Sequence, residues 1–338
     1  MMKRILIIEV NWVGDVLFST PFIRTVRGAY PDSYIACLVH PRCKEILEHN
    51  PFVDEIILYD EDKMHRGFIG KIKLIFLLRG KRFDTAFILH RSFTKALIAY
   101  LSGIKERIGY IAKKGRGAIL TKGVPEPHPS KHKVEYFLDL ARVAGISPGP
   151  VSYEFVVTNG ERDFVRDLIS GEGIASDEKV VVINPGGNWG PKRWPKESFA
   201  KLADLLAQKF GVKIVISGAE KDKALAEDIK RLMKSKAIVV AGKVSLRQLG
   251  ALLQRASLVV SNDSGPMHMA VAVGAKVIAI FGPTSPALTG PYGTGDYTVI
   301  FKEKECEVPC YDKDCKNNSC MSDISVDEVM SAASVKLA

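Results

Sequence analysis

Short apolar runs alternate with helical segments from one end of this chain to the other, and most runs stop at a stretch rich in Gly, Pro, Asn or Asp. Alternation of this kind leaves an α/β fold built on parallel strands with crossover helices, because a parallel pair needs a long connection and a helix is the compact way to supply it. In the first half the predicted strands are 4–8, 34–39, 55–58 and 85–89, with helices near 15–29, 42–49, 70–78 and 93–101. In the second half they are 179–183, 213–217, 237–240, 258–260 and 276–281, with helices between, among them 196–210 and 267–273. A chain of 338 residues is long enough for two cores. The expected organisation is therefore two doubly wound domains, 1–158 and 175–322, joined through the polar segment near 157–177.

The most informative stretch is Asn262-Asp263-Ser264-Gly265-Pro266-Met267-His268, which follows an apolar strand and opens a small-residue helix. Backbone N–H groups and the positive end of the helix dipole converge at such a turn, so it suits a phosphate or carboxylate; ordinary helix capping by Asp263 or Ser264 is the plainer reading. A second loop, Asn184 to Pro195, leaves another strand and enters the helix from Lys196. Its glycines, Gly187 among them, admit a ligand close to the backbone, Asn188 adds a polar side chain, and Lys192 and Arg193 offer cations. A third strand end, Phe281 to Pro286 with Thr284, is equally turn-rich. In open α/β sheets ligands bind outside the carboxyl ends of the strands, where all three loops fall, so one diphosphate is expected among them. After the strand ending at Ser217, Asp222 is the candidate for ribose hydroxyls, with Glu220 close behind. His268 is either a supporting residue of this site or a core histidine.

Three runs carry a family resemblance: PGGNWGPKRWP, NDSGPMHMAVAVGAKVIAIFGPTSP and, near the N-terminus, NWVGDVLFSTPFIRTVRGAYP. The chain resembles the bacterial ADP-heptose:lipopolysaccharide heptosyltransferases, glycosyltransferase family nine, over nearly its whole length. Its loop before Pro195 and its late cysteines are nearer to the second heptosyltransferase of the inner core than to the first. The resemblance implies the GT-B architecture, two Rossmann-like domains facing across a cleft, with an acceptor-binding first domain, a nucleotide-sugar-binding second domain and a last helix, within 323–338, that returns to the first. It implies inverting transfer of heptose from ADP-heptose to the lipopolysaccharide core without a required metal. Asp15 would be the base that takes the acceptor's proton, and Lys192 would stabilise the departing diphosphate. A GT-B nucleotide-sugar 2-epimerase, a transferase using another nucleotide sugar and a non-catalytic nucleotide- or lipid-binding module are the alternatives.

The charge fits an anionic acceptor. The net charge is +10, and the first 150 residues hold 24 Lys and Arg against 15 Asp and Glu. No zinc-finger, helix-turn-helix or aromatic RNA-binding pattern accompanies the surplus, so no nucleic-acid partner is expected. The basic run 105–122, with Lys113, Lys114 and Arg116, is the candidate for carboxylates and phosphates of a Kdo-lipid A acceptor. Residues 63–82 carry seven Lys or Arg and no acid among apolar residues, which describes either a sheet-packing helix with basic ends or an interfacial segment. Asp60-Glu61-Asp62 has the spacing of a metal-binding acidic pair but is read as solvated surface. Cys306, Cys310, Cys315 and Cys320 leave a structural metal as an option, although they lack the usual two-residue knuckle spacing. The sequence lacks a secretory signal pattern and a bilayer-length apolar run, so a cytoplasmic protein is expected; the resemblance implies work at the cytoplasmic face of the inner membrane, and a monomer is expected.

Overall fold

The computed structural model describes residues 3–112, 115–126 and 128–338, and the chain divides into two units, Met1–Val156 and Val157–Ala338. In chain order the first contains β1 (Arg4–Ile8), α1 (Val13–Ala29), β2 (Tyr34–Val39), α2 (Lys44–Leu47), β3 (Glu55–Leu58), α3 (Phe68–Gly80), β4 (Thr85–Ile88), α4 (Phe93–Leu101), β5 (Glu106–Tyr110), β6 (Lys122–Val124) and α5 (Lys133–Val143). The second contains α6 (Asn159–Gly171), β7 (Val180–Asn184), α7 (Lys196–Phe210), β8 (Lys213–Ile216), α8 (Lys223–Leu232), β9 (Ala237–Val239), α9 (Leu246–Arg255), β10 (Leu258–Asn262), α10 (Gly265–Ala272), β11 (Val277–Phe281), α11 (Pro286–Thr289), β12 (Tyr297–Phe301), α12 (Ser319–Ser322) and α13 (Val326–Leu337).

Each unit is built on a six-stranded sheet. The first runs β3-β2-β1-β4-β5-β6 and the second β12-β11-β10-β7-β8-β9, with every pairing parallel. In both, the order reverses beside the unit's first strand, at β1/β4 and at β7/β10, which is where doubly wound sheets open a crevice. Successive residues Ile5 to Ile8, and likewise Val180 to Ile183, are fully buried. Neighbouring strand residues point to opposite faces, so both faces of these central strands are covered, and this explains why the runs read as continuous rather than alternating.

Helix α1 shows how local sequence serves the fold. Pro21 lies inside it and cannot donate to the carbonyl four residues back. The Thr20 hydroxyl donates to that carbonyl, Leu17 O, at 2.8 Å, and accepts from Glu154 N at 2.9 Å. The Ser-Thr-Pro run thus keeps the helix intact and ties it to the end of its unit.

Three expectations need correction. Strands β5, β6 and β12 were not foreseen: β5 begins with Glu-Arg and holds a Gly, β6 has three residues, and β12 is only half-buried. The polar stretch 157–177 is no open linker, because α6 occupies it and packs against α9 of the second unit. The last helix does not return to the first unit. Val329, Ala333 and Leu337 of α13 join the second unit's core with Leu202 and Leu206 of α7 and Ile278 of β11, because its buried stripe completes that core. Among the described residues no helix is long and apolar enough to cross a membrane.

Candidate functional site

In the second unit the loops after β7, β8, β10 and β11 meet at the carboxyl end of the sheet, and buried amides stitch them together. Asn262, the last residue of β10, accepts from Trp194 N at 3.1 Å and donates to Pro185 O at 2.8 Å, which pins both ends of the loop after β7. Asn184 does the same from the other side, donating to Ser261 at 3.3 Å and Ser264 at 3.2 Å and accepting from Ser217 at 3.2 Å. The Trp194 indole anchors the loop's far end by packing on Phe199 and donating to Ile324 O at 2.9 Å. Buried polar groups of this kind hold a single loop arrangement because leaving any of them unpaired is costly.

On this frame sit the predicted residues. Lys192, in a 3₁₀ turn over Gly190–Lys192, places Nζ 2.5 Å from Asp263 Oδ2, and the Thr284 hydroxyl donates to the same oxygen at 2.6 Å. Lys192, Asp263 and Thr284, from three loops, therefore form one contact. Arg193 donates to Gly187 O at 2.9 Å and pairs with Asp222 at 3.3 Å. Ser264 stands at the N-cap position of α10, whose first residue is Gly265, and Asn188 is exposed on the loop. His268 is buried in α10.

Two glycines have specific reasons. A Cβ on Gly186 would lie 2.7 Å from Asp222 Oδ2, and one on Gly242, at φ +74°, would overlap the Glu220 carboxylate. The first lets the loop after β7 close over Asp222, and the second takes a backbone conformation that side chains avoid. Asp222 itself is buried, accepting from Ala219 N at 3.2 Å as well as Arg193. Its carboxylate thus joins two loops, whereas Glu220 is exposed.

The first unit has a second cluster, at the carboxyl end of β1. Asp15 lies in the first turn of α1, where an ionised carboxylate faces the positive helix end. Beneath that turn lie two buried titratable residues with no counterpart in the expected site. Glu9 and Lys95 are both buried. Lys95 Nζ donates to Glu9 O at 3.0 Å and to Asn11 Oδ1 at 2.6 Å, and Ser19 donates to the Glu9 carboxyl at 3.0 Å. Burial pushes the Glu9 carboxyl up to about 8 against the hydrogen bonds from Ser19 and the Val10 backbone, and pushes the Lys95 ammonium down to about 8 against the charges of Glu61 and Glu9. Lys95 thereby fixes the residues that lead into the Asp15 turn. An acid at the end of the first strand was the available sequence signal for this cluster, but nothing local says that a lysine 86 residues away will reach it.

Other expected residues stand elsewhere. Arg116 is fully buried and donates to His90 O at 2.8 Å, so it does not present its charge to an acceptor; it lies behind Gly109, whose Cβ would meet its guanidinium at 3.2 Å. Lys113 and Lys114 lie outside the described residues. The acidic run lies at the surface, with Asp62 exposed, and each of its residues has a partner. Asp62 pairs with His40 at 3.0 Å and Arg42 at 2.7 Å, Glu61 accepts from Asn11, and Asp60 caps Lys63 N at 3.0 Å. Cys306, Cys310, Cys315 and Cys320 line one pocket beside Pro191 and Gly282. Yet among the described residues no group of three or more His, Cys, Asp or Glu is placed to hold an ion, so the structural metal is not supported. Burial and the neighbouring thiols push the Cys320 thiol up.

Residues 72–321 match the model of glycosyltransferase family 9 (heptosyltransferase). Lipopolysaccharide heptosyltransferase 2 of Escherichia coli K12 is 30% identical over 300 residues, 85% of each chain. The crystal structure of the family 9 glycosyl transferase from Veillonella parvula aligns with a TM-score of 0.91 at 26% identity, covering 99% of this chain and 97% of that one. The E. coli ADP-heptose lps heptosyltransferase II structure aligns at 0.82 and 27% identity, covering 99% and 98%. The two Rossmann-like units are those of the GT-B heptosyltransferase structures, as the resemblance implied. The family model spans most of the chain, and the chain is a member of glycosyltransferase family 9, the heptosyltransferases.

Proposed function

We propose that the protein moves heptose from ADP-L-glycero-D-manno-heptose to a hydroxyl of the lipopolysaccharide inner core, with inversion at the anomeric carbon. The observation that carries the donor half is the meeting of Lys192, Asp263 and Thr284 at the carboxyl end of the second sheet, beside the N-terminus of α10. Departure of ADP builds charge on the β-phosphate oxygen, and a preorganised ammonium with backbone N–H donors stabilises that charge more than it stabilises the intact donor. Asp263 holds Lys192 in place before the diphosphate arrives, and the phosphate then shares the ammonium. Gly187, Asn188, Ser264 and Gly265 line the same turns, Arg193 supports the loop through Asp222, and Glu220 or Asp222 meets the ribose. In the acceptor half Asp15 takes the proton as the acceptor oxygen attacks. Asp15 stands in the first turn of α1, and Lys95 holds the turn that presents it through Glu9 O and Asn11. The reading places the enzyme at the cytoplasmic face of the inner membrane. It is preferred to a 2-epimerase because the curated relatives are named as heptosyltransferases.

Calorimetry with ADP, UDP and GDP tests the donor. ADP is expected to bind selectively, and Lys192→Ala to weaken it roughly tenfold to a hundredfold, as for loss of a charge-assisted hydrogen bond. Asp15→Asn is expected to leave ADP binding intact and lower turnover by about 10²- to 10⁴-fold. Selective UDP binding would overturn the donor, and full activity in Asp15→Asn would overturn the base.

A further inference from the structure

Helix α3 departs from the pattern of its own unit. Apolar residues lie all around it, a composition that ordinarily marks a helix buried on every side, yet only Leu74 and Leu78 are buried. Phe68, Ile69 and Phe76 stand 78%, 71% and 65% exposed. Ile69, Lys73 and Phe76 follow one another at helical spacing along one face, so the exposed apolar groups are contiguous and carry a cation among them. Isolated exposed apolar residues are ordinary, but a contiguous set on a helix marks an interaction surface.

The composition of the segment selects the partner. Residues 63–82 contain only Lys, Arg, His, Gly and apolar residues, with seven Lys or Arg and no acid, amide or hydroxyl. Protein interfaces are depleted in Lys, whereas this segment carries Lys63, Lys71, Lys73 and Lys81. Cations beside Phe and aliphatic residues suit a surface that offers fixed negative charge above an apolar interior. Lys81 is held within the protein by Glu55 at 2.7 Å, whereas Lys73 and Arg79 reach solvent.

We propose that α3 anchors the protein to an anionic bilayer. The helix lies along the surface with Phe68, Ile69 and Phe76 at the boundary between headgroups and acyl chains, and Lys73 and Arg79 meet lipid phosphates. The anchor is independent of the sugar transferred and of the roles assigned to Asp15 and Lys192.

The test is co-sedimentation of the full chain with vesicles of phosphatidylcholine alone and of equal parts phosphatidylcholine and phosphatidylglycerol. Binding is expected only to the mixed vesicles and should fall as salt rises. Phe68→Ser with Phe76→Ser should weaken binding by roughly tenfold or more per residue while ADP binding and thermal melting stay unchanged. Because a folding defect would blur that result, Ile69→Trp serves as a second probe, with indole emission moving to shorter wavelength on mixed vesicles. The proposal is overturned if wild-type protein ignores the mixed vesicles, if the serine variant binds them equally well, or if the emission of the Ile69→Trp variant does not move. A concentration-dependent dimer lost in the serine variant, without vesicle binding, would assign the face to a second copy of the chain instead.

Discussion

Buried titratable groups give the protein's residue-scale behaviour a pH dependence with a definite sign. The Glu9 carboxyl has its folded value near 8 against 4.5 when unfolded, so the folded state holds the extra proton. Its contribution is full below the unfolded value and is lost as pH rises from about 4.5 through about 8. Lys95, with its value lowered toward 8 from 10.5, acts in the next window: its burial cost is present below about 8 and is relieved as pH rises toward 10.5. Glu9→Gln should therefore melt close to wild type near pH 5 and be more stable by about 1–3 kcal/mol near pH 8. Melting curves at the two pH values check this, and equal differences at both would show that Glu9 is not held protonated. Lys192, Asp263 and Gly265 were legible as site candidates because turn chemistry after a strand is local. The roles of Glu9, Lys95 and Asn262 were not, since each acts through a partner distant in sequence. Asp222 was found for its type and position, yet its buried bond to Arg193 gives it a joining role that no spacing announces.

At the scale of elements, α6 shows how a polar stretch becomes a helix. Thr158 and Glu161 form a reciprocal cap at its start, and the Glu161 carboxylate also accepts from Arg247 of α9 at 2.7 Å. The Arg247 bond, aided by Thr158, holds Glu161 down to about 2. The stability from this group is present above its unfolded value of 4.5 and is lost as pH falls toward 2. Glu161→Ala should cost about 1–2 kcal/mol in urea unfolding at neutral pH, combining a lost cap with the lost bond to Arg247 of α9, and the difference should shrink in acid. An unchanged midpoint would mean that α6 is held by its apolar stripe alone. The capping pattern Thr-x-x-Glu was visible in the sequence, but the segment's polarity favoured a linker. The short strands β6 and β12 were missed for a related reason: an edge strand is recruited by its neighbour's open hydrogen bonds rather than by its own apolar content.

At the scale of the whole molecule, the placement of α13 decides which core its apolar stripe serves. Removing Val326 to Ala338 takes Val329, Ala333 and Leu337 out of the second unit's core, a loss of roughly 3–5 kcal/mol by comparison with large core truncations. Hydrogen exchange should then show β10 and β11 losing protection while β1 and β4 keep theirs; the reverse pattern would place the helix on the first unit. The two doubly wound sheets, with β1 and β7 as apolar central strands, and the Gly- and Pro-containing turns after β7 and β10 were determined by the sequence. Continuous apolar runs, Gly- and Pro-rich stops and amphipathic helices act over a few residues, so local chemistry specifies them. Only the tertiary structure decided that α13 packs on α7, that Arg116 turns inward, that Glu9 and Lys95 share an interior, and that α3 keeps its apolar face in water. Those outcomes depend on which surfaces meet after the chain has folded, and that competition for burial is not written in any one segment.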